Sequence, residues 1–297
     1  MRRSLSLPLA FLAVGVIALA VFLLLDRGGR PSRRALTGPS PIPSETKGKT
    51  PGRESPGGKP LAPARKPAAR PQPRTPGEPA RAAIIMDDLG NSLEPLRALC
   101  ALGRRITASV LPFAAETLPS VKAAHECGLE VMLHLPLESL VKPARTPGGM
   151  ISSGMSRDEV RAGVLACLEQ IPGCRGVNNH AGSKVTEDGV LMPVILEVVR
   201  DKGLYFVDSR TTSSSVAYET ARSLGVPAAE RHVFLDGVLE DGAIKGRIEE
   251  LFRKARDAGR AVGICHPKAE TLAALRNYLG LAEAYGVTLV FASEIVE

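Results

Sequence analysis

Two carboxylates, Asp87 and Asp88, stand side by side in "AAIIMDDLGNS" (Ala82–Ser92), directly after five apolar residues. Adjacent carboxylates repel unless a cation holds one of them. Helix capping does not account for the pair, because Asn91 with Glu94 three residues on reads as a capping box of its own. Of the five histidines, His134 in "VMLHLPLE", His180 in "GVNNHAGSKVT" and His266 in "GICHP" fall at or near the ends of strand-like runs, whereas His125 and His232 read as structural. One carboxylate and two imidazoles make an open site for Zn²⁺ or a similar divalent ion. Such an ion acidifies a water toward neutral pH. A second carboxylate could take the water's proton, and a further imidazole, His266, could protonate a leaving group. These residue types together specify metal-assisted hydrolysis.

The same residues fall at the ends of regularly spaced strands. Short β-rich runs occur at "AAIIM", "ITASVLP", "EVMLHLP", "RGVNN", "LYFVDS", "RHVFLD", "RAVGICH" and "VTLVFA", separated by stretches with apolar residues at helical spacing, such as "RDEVRAGVLACLEQI". Glycines such as Gly128 and Gly259 close helices just ahead of the next strand. Strict alternation predicts a parallel sheet with outer helices. Seven to eight βα units suit a distorted or incomplete (β/α) barrel, with a doubly wound open sheet as the alternative. No glycine-rich phosphate loop follows the first strand, which argues against nucleotide-binding variants. Either architecture works at the carboxyl ends of its strands. Asp87 and Asp88 end the first run, His134 lies near the end of the third with Glu138 beyond it, and Asn178, Asn179 and His180 end the fourth. Asp208, Ser209 and Arg210 end the fifth and His266 the seventh. One rim therefore collects the chemistry.

Ahead of these units the chain changes character. Leu5 to Leu25 carries no charge and is long enough to cross a bilayer, so residues 1–26 are expected to form a membrane anchor, with a cleaved signal sequence as the alternative. Residues 27–80 hold 13 of the 24 prolines and few large apolar side chains, which predicts a disordered linker. Residues 81–297 are the expected catalytic domain. Lys and Arg outnumber Asp and Glu 14 to 4 in residues 1 to 80, leaving 24 against 27 beyond, so the basic charge belongs to the linker and a nucleic-acid partner is not expected. The five cysteines show no zinc spacing and read as mostly buried small hydrophobes, a Cys167–Cys174 bridge remaining open.

"IIMDDLG", "LHLPLE", "GVNNHAGSKVT", "FVDSRTT" and "GICHP", in that order, resemble the divergent branch of the polysaccharide deacetylases over roughly Arg81 to Glu297. The resemblance implies a distorted (β/α) barrel and metal-dependent removal of N- or O-acyl groups from sugars. It implies Asp87 as general base, Asp88 as metal ligand, His134 as a further ligand and His266 as the histidine assisting the leaving group. The main branch takes two ligands from one H-x-x-x-H motif, but here Glu138 stands four residues after His134. The third ligand is then His180 or Glu138; His180 is preferred, because it completes a set of two imidazoles and one carboxylate.

A tethered hydrolase of this family implies a cell-envelope glycan such as peptidoglycan as substrate, Zn as the metal, and a single-pass protein of the inner membrane with its domain in the periplasm, or a cleaved and secreted form. Basic residues flank the apolar segment on both sides, so orientation follows from the resemblance rather than from charge. Asn179, Ser183, Arg210 and Asp208 are expected near the acyl oxygen or sugar hydroxyls, with Lys184 if it points inward. The alternative is a catalytically silent glycan-binding or envelope-assembly protein on the same fold. A phosphoesterase would need a more basic rim.

Overall fold

The computed structural model describes residues 79–141 and 146–297. The expected anchor and linker lie outside these residues, apart from Pro79 and Ala80. Among the described residues no helix is long and apolar enough to cross a membrane.

Nine strands form one sheet: β1 (Ala80–Leu89), β2 (Thr107–Val110), β3 (Glu130–Leu137), β4 (Gly176–Ala181), β5 (Tyr205–Asp208), β6 (Ala228–Glu230), β7 (Val233–Phe234), β8 (Arg260–Cys265) and β9 (Val287–Val290). The order is β6-β5-β4-β3-β2-β1-β8-β7, with β9 on β1, and every pairing is parallel. Helices such as Arg157–Glu169, Leu191–Asp201 and Asp241–Ala258 connect the strands.

The sheet curls because of two irregular strands. β8 takes one edge of β1 along Arg81–Met86, so the other edge is shared between β9, opposite Ala80–Ala83, and β2, opposite Ile85, Met86 and Leu89. Across from it, the run 228–234 bonds β5 first and β8 afterwards, and between the two Arg231 N–H donates to Asp208 O and His232 N–H to Val262 O, each at 2.9 Å. That run bridges the ends of the curled sheet. The result is the expected distorted (β/α) barrel.

Alternation along the strands divides the core in two. Ile84, Met86, Val131, Leu133, Val177 and Phe206 face outward and pack with helix residues such as Ile195, Leu251 and Phe252. Ala83, Ile85, Met132, Tyr205, Val207, Val262 and Ile264 face inward and fill the lumen with Val290, Ala292 and Ile295 of the C-terminal segment. Full burial of each large aliphatic chain contributes about 1.5–3 kcal/mol, which is why both faces read as continuous apolar runs.

The C-terminal segment floors the barrel at the amino ends of the strands. Glu130 Oε1 accepts from Thr107 Oγ1 (3.1 Å), Tyr205 OH (2.8 Å) and Ser293 N–H (3.1 Å), while Thr107 Oγ1 accepts from Ala292 N–H (2.9 Å). The Tyr205 ring crosses above Gly176, where a Cβ would come within 2.3 Å of it. Glu297 then pairs its backbone with Ala228 at the start of β6.

Two local expectations are corrected. Ser92, not Asn91, caps helix Leu93–Cys100, its side chain accepting from Glu94 N–H. A disulfide joins Cys100 to Cys127, while Cys167 and Cys174 are free thiols. The bridge ties the ends of helices Leu93–Cys100 and Thr117–Glu126, whose cysteine Cα atoms lie 5.8 Å apart although 27 residues separate them in sequence. Sequence spacing carries no trace of such a meeting.

Candidate metal centre and active site

The turn after β1 explains how neighbouring aspartates serve one site. In a regular strand Asp87 and Asp88 would point to opposite faces. The register with β2 slips between Met86 and Leu89, and Asp88 adopts φ 58°, a left-handed conformation costing roughly 1–2 kcal/mol without glycine. Asp87 keeps the inward direction of Ile85, and Asp88 turns back over the mouth. Gly90 (φ 111°) completes the turn, with the position of its absent Cβ only 3.2 Å from Leu111 O.

On the next strands simple alternation suffices. His134 lies opposite Asn178 and Pro136 opposite His180, so His134, Asn178 and His180 share the lumen face. Asp88 Oδ1 stands 2.9 Å from His180 Nδ1 and 3.2 Å from His134 Nε2, and those two nitrogens are 3.1 Å apart. These three residues are the group among the described residues able to hold a metal ion. Donors on a tetrahedral ion at roughly 2.0–2.1 Å would be about 3.3 Å apart, close to this spacing. Asp88 Oδ1 lies near both rings but makes no contact of hydrogen-bond geometry, and His180 Nε2 is likewise buried without a partner. A buried carboxylate oxygen with no donor, aimed between two imidazoles, is the arrangement a divalent cation satisfies. The residues present fit the group.

Asp87 sits beside this trio. Its Oδ1 accepts from Asn178 Nδ2 at 2.8 Å and its Oδ2 is 3.7 Å from His134 Nε2. Burial, only partly offset by His134 and Asn178, raises its pKa above the ordinary carboxylate value. Burial acts on Asp88 in the same sense, but contacts with His134 and His180 outweigh it and lower its pKa strongly. The two aspartates are thus pushed apart, one toward holding a proton and one toward holding a charge.

His266 faces Asp88 Oδ2 at 3.9 Å from beyond β8. Its backbone N–H donates to Asp236 Oδ2 (2.6 Å), its Nδ1 to Asp236 Oδ1 (3.2 Å), and Thr271 Oγ1 adds a third donor at 3.0 Å. Burial lowers the imidazole pKa, yet the bond to Asp236 and its charge prevail and raise it.

Other expected residues lie elsewhere. Glu138 is not in the metal group: its Oε2 accepts from Ser153 N–H and Oγ, and its Oε1 from Lys184 Nζ at 2.7 Å, contacts that bring its pKa down to about 2. Lys184 therefore clamps rim loops instead of pointing inward. Asn179 gives Nδ2 to Ala181 O and receives Ser209 N–H. Asp208 receives Arg210 N–H, Ser215 Oγ and Tyr218 N–H. Both are engaged in shaping the turns after β4 and β5. Ser183 Oγ accepts from Leu140 N–H, and Arg210 pairs with Glu230 at 3.3 Å. His125 meets Pro172 O, and His232 Nδ1 accepts from Val262 N–H, both structural contacts.

Sequence reasoning passed over Asp236 and gave Asn178 no role. Asp236 ends "RHVFLD" as Asp208 ends "LYFVD", and an unpaired acid at a strand end was the available signal. For Asn178, alternation with His180 was the signal.

The profile of the divergent polysaccharide deacetylases matches residues 84–296. An uncharacterised protein of Haemophilus influenzae is 32% identical over 197 residues, spanning 66% of this chain and 70% of the relative. An uncharacterised protein of Escherichia coli is 29% identical over 214 residues, spanning 72% of this chain and 66% of the relative. The solved structure of an uncharacterised protein from Agrobacterium tumefaciens shares the fold with a TM-score of 0.70 at 23% identity, covering 75% of this chain and 92% of that one. Matched across its barrel from the first strand to the floor, the chain belongs to the divergent polysaccharide deacetylase family.

Proposed function

We propose that the protein is a metal-dependent hydrolase that removes N-acetyl groups from a cell-envelope polysaccharide such as peptidoglycan. The observation that carries this reading is the convergence of Asp88 Oδ1, His134 Nε2 and His180 Nδ1 beside Asp87 and His266. A divalent ion, Zn²⁺ by its donor set, would supply Lewis acidity to a water and to the acyl oxygen. Asp87 accepts the proton as the water oxygen bonds to the acyl carbon, a role its raised proton affinity suits. His266, its Nδ1–H directed at Asp236, gives a proton from Nε2 to the departing nitrogen as the C–N bond breaks. Acetate and a free amine leave.

Phe113, Leu140, Val141, Val238 and Leu239 are exposed on segments following strands, with Phe234 exposed at the end of β7, apolar surface suited to the faces of sugar rings. The Cys100–Cys127 bridge supports an oxidising compartment, and the apolar segment Leu5–Leu25 supports attachment to the inner membrane with the barrel in the periplasm, or secretion after cleavage. Glu138, standing where the family's main branch has a second ligand histidine, favours the silent glycan-binding alternative; His180 beside Asp88 weakens it. The test is acetate release from N-acetylated amino-sugar polymers by the zinc-loaded protein. Tight metal binding without acetate from any such polymer would reject the hydrolase and favour the silent reading.

A further inference from the structure

Asn178 is fully buried, and its carboxamide meets three strands at once. Oδ1 accepts from Ser109 Oγ at 2.7 Å and lies 2.8 Å from His134 Nδ1, while Nδ2 donates to Asp87 Oδ1 at 2.8 Å. These contacts leave one orientation for the amide. With Asp87 ionised, as a general base must be, the amide turned over would set its oxygen against a carboxylate oxygen, acceptor against acceptor. With Nδ2 held by Asp87, Oδ1 must face His134, and His134 must then carry its proton on Nδ1. Its bare Nε2 is left facing Asp88 Oδ1 and His180 Nδ1. Ser109, also fully buried, donates its hydroxyl to the amide oxygen in this orientation.

We infer that Asn178 is a positioning residue that sets the metal-ready tautomer of His134 and holds the Asp87 carboxylate with the same group. The inference rests on reading Asp88, His134 and His180 as the ligand set. It gives Asn178 two separable duties. The oxygen serves metal binding, by orienting a ligand imidazole. The nitrogen serves proton transfer, by fixing the base. A residue that merely filled space would show no such division.

The full-length protein tests this with Asn178→Ala and Asn178→Asp, read by Zn²⁺ affinity in competition with a chromophoric chelator, by imidazole ¹⁵N spectra, by melting and by acetate release. In the wild type, His134 should be protonated on Nδ1. Asn178→Ala should lose that preference and weaken Zn²⁺ binding about 10- to 100-fold, the usual cost of losing an outer partner of a ligand. Asn178→Asp retains an acceptor for His134 Nδ1 but turns a carboxylate on Asp87. It should bind Zn²⁺ close to wild type while acetate release falls about 10²-fold or more. A folded Asn178→Ala protein with unchanged affinity and tautomer would overturn the inference. So would equal loss of metal, activity and melting temperature in both variants. Wild-type protein that binds Zn²⁺ but releases no acetate would instead reject the hydrolase, with the affinity and tautomer measurements still deciding the role of Asn178.

Discussion

The barrel buries a polar cluster at each end, and the two are built to opposite rules. At the floor, the Glu130 carboxyl receives three donors and Thr107 a fourth, with both residues closed off by the C-terminal segment. At the mouth, Asp88 Oδ1 and His180 Nε2 lack partners, and Asp88 holds a left-handed backbone. A satisfied buried network adds stability and fixes one arrangement. An unsatisfied one costs stability until something enters. Saturation marks the floor as architecture, and deficiency marks the mouth as the end able to take up a ligand such as a metal ion.

The largest effects should come from the deficient end. Alanine at Asp88, His134 or His180 should abolish stoichiometric Zn²⁺ binding and acetate release together, because two donors hold the ion poorly, whereas Glu138→Ala should leave stoichiometry unchanged. Elemental analysis checks this; metal lost with Glu138 and kept without His180 would exchange their roles.

Next, Asp87→Asn should keep the ion and lose about 10²- to 10⁴-fold in turnover. The same change should raise the melting temperature of the metal-free protein near neutral pH. Burial raises the Asp87 pKa, so its contribution to stability is present in acid and lost as pH rises through the folded value. Removing the charge relieves a cost that builds as pH rises above the ordinary carboxylate value and is complete above the raised one. A variant that is less stable at neutral pH would contradict the contrast between the two ends.

At the floor the expectation reverses. Glu130→Ala leaves the Tyr205 hydroxyl and the Thr107 hydroxyl without their shared acceptor and should cost about 1–3 kcal/mol in denaturant melts, with Zn²⁺ affinity unchanged.

The smallest effect is a displacement along the pH axis. Asp236 holds the His266 pKa up, so Asp236→Asn should lower it and shift the alkaline limb of acetate release toward lower pH. Stability should follow: the His266 contribution is present below the ordinary imidazole value and lost as pH rises through the raised one, so the variant should be weakened mainly on the acid side. An unmoved limb would remove His266 as the proton donor.

What could be read from sequence follows the same division. Strand ends with an acid or a histidine were visible because closing glycines such as Gly128 and Gly259 mark where strands begin and the apolar runs stop at the first polar residues. His180 could be preferred over Glu138 from donor chemistry alone, and the geometry brings it to Asp88. Asn179 and Asp208 share the rim address of Asp88 and His180 and accept backbone N–H groups there, a use that residue type and position cannot reveal. The Cys100–Cys127 bridge, the floor under Tyr205 and the Asp236–His266 pair join residues far apart in the chain, so only folding discloses them.

The chain enters the barrel at Ala80, the foot of β1, where β9 also begins, while Asp87 and Asp88 stand at that strand's other end. Seven to eight residues of extended chain separate them by about 25 Å, so the amino-terminal foot of the barrel and the mouth lie on opposite poles. Surface immobilisation through an N-terminal tag should therefore leave the opening clear for large, insoluble polymers.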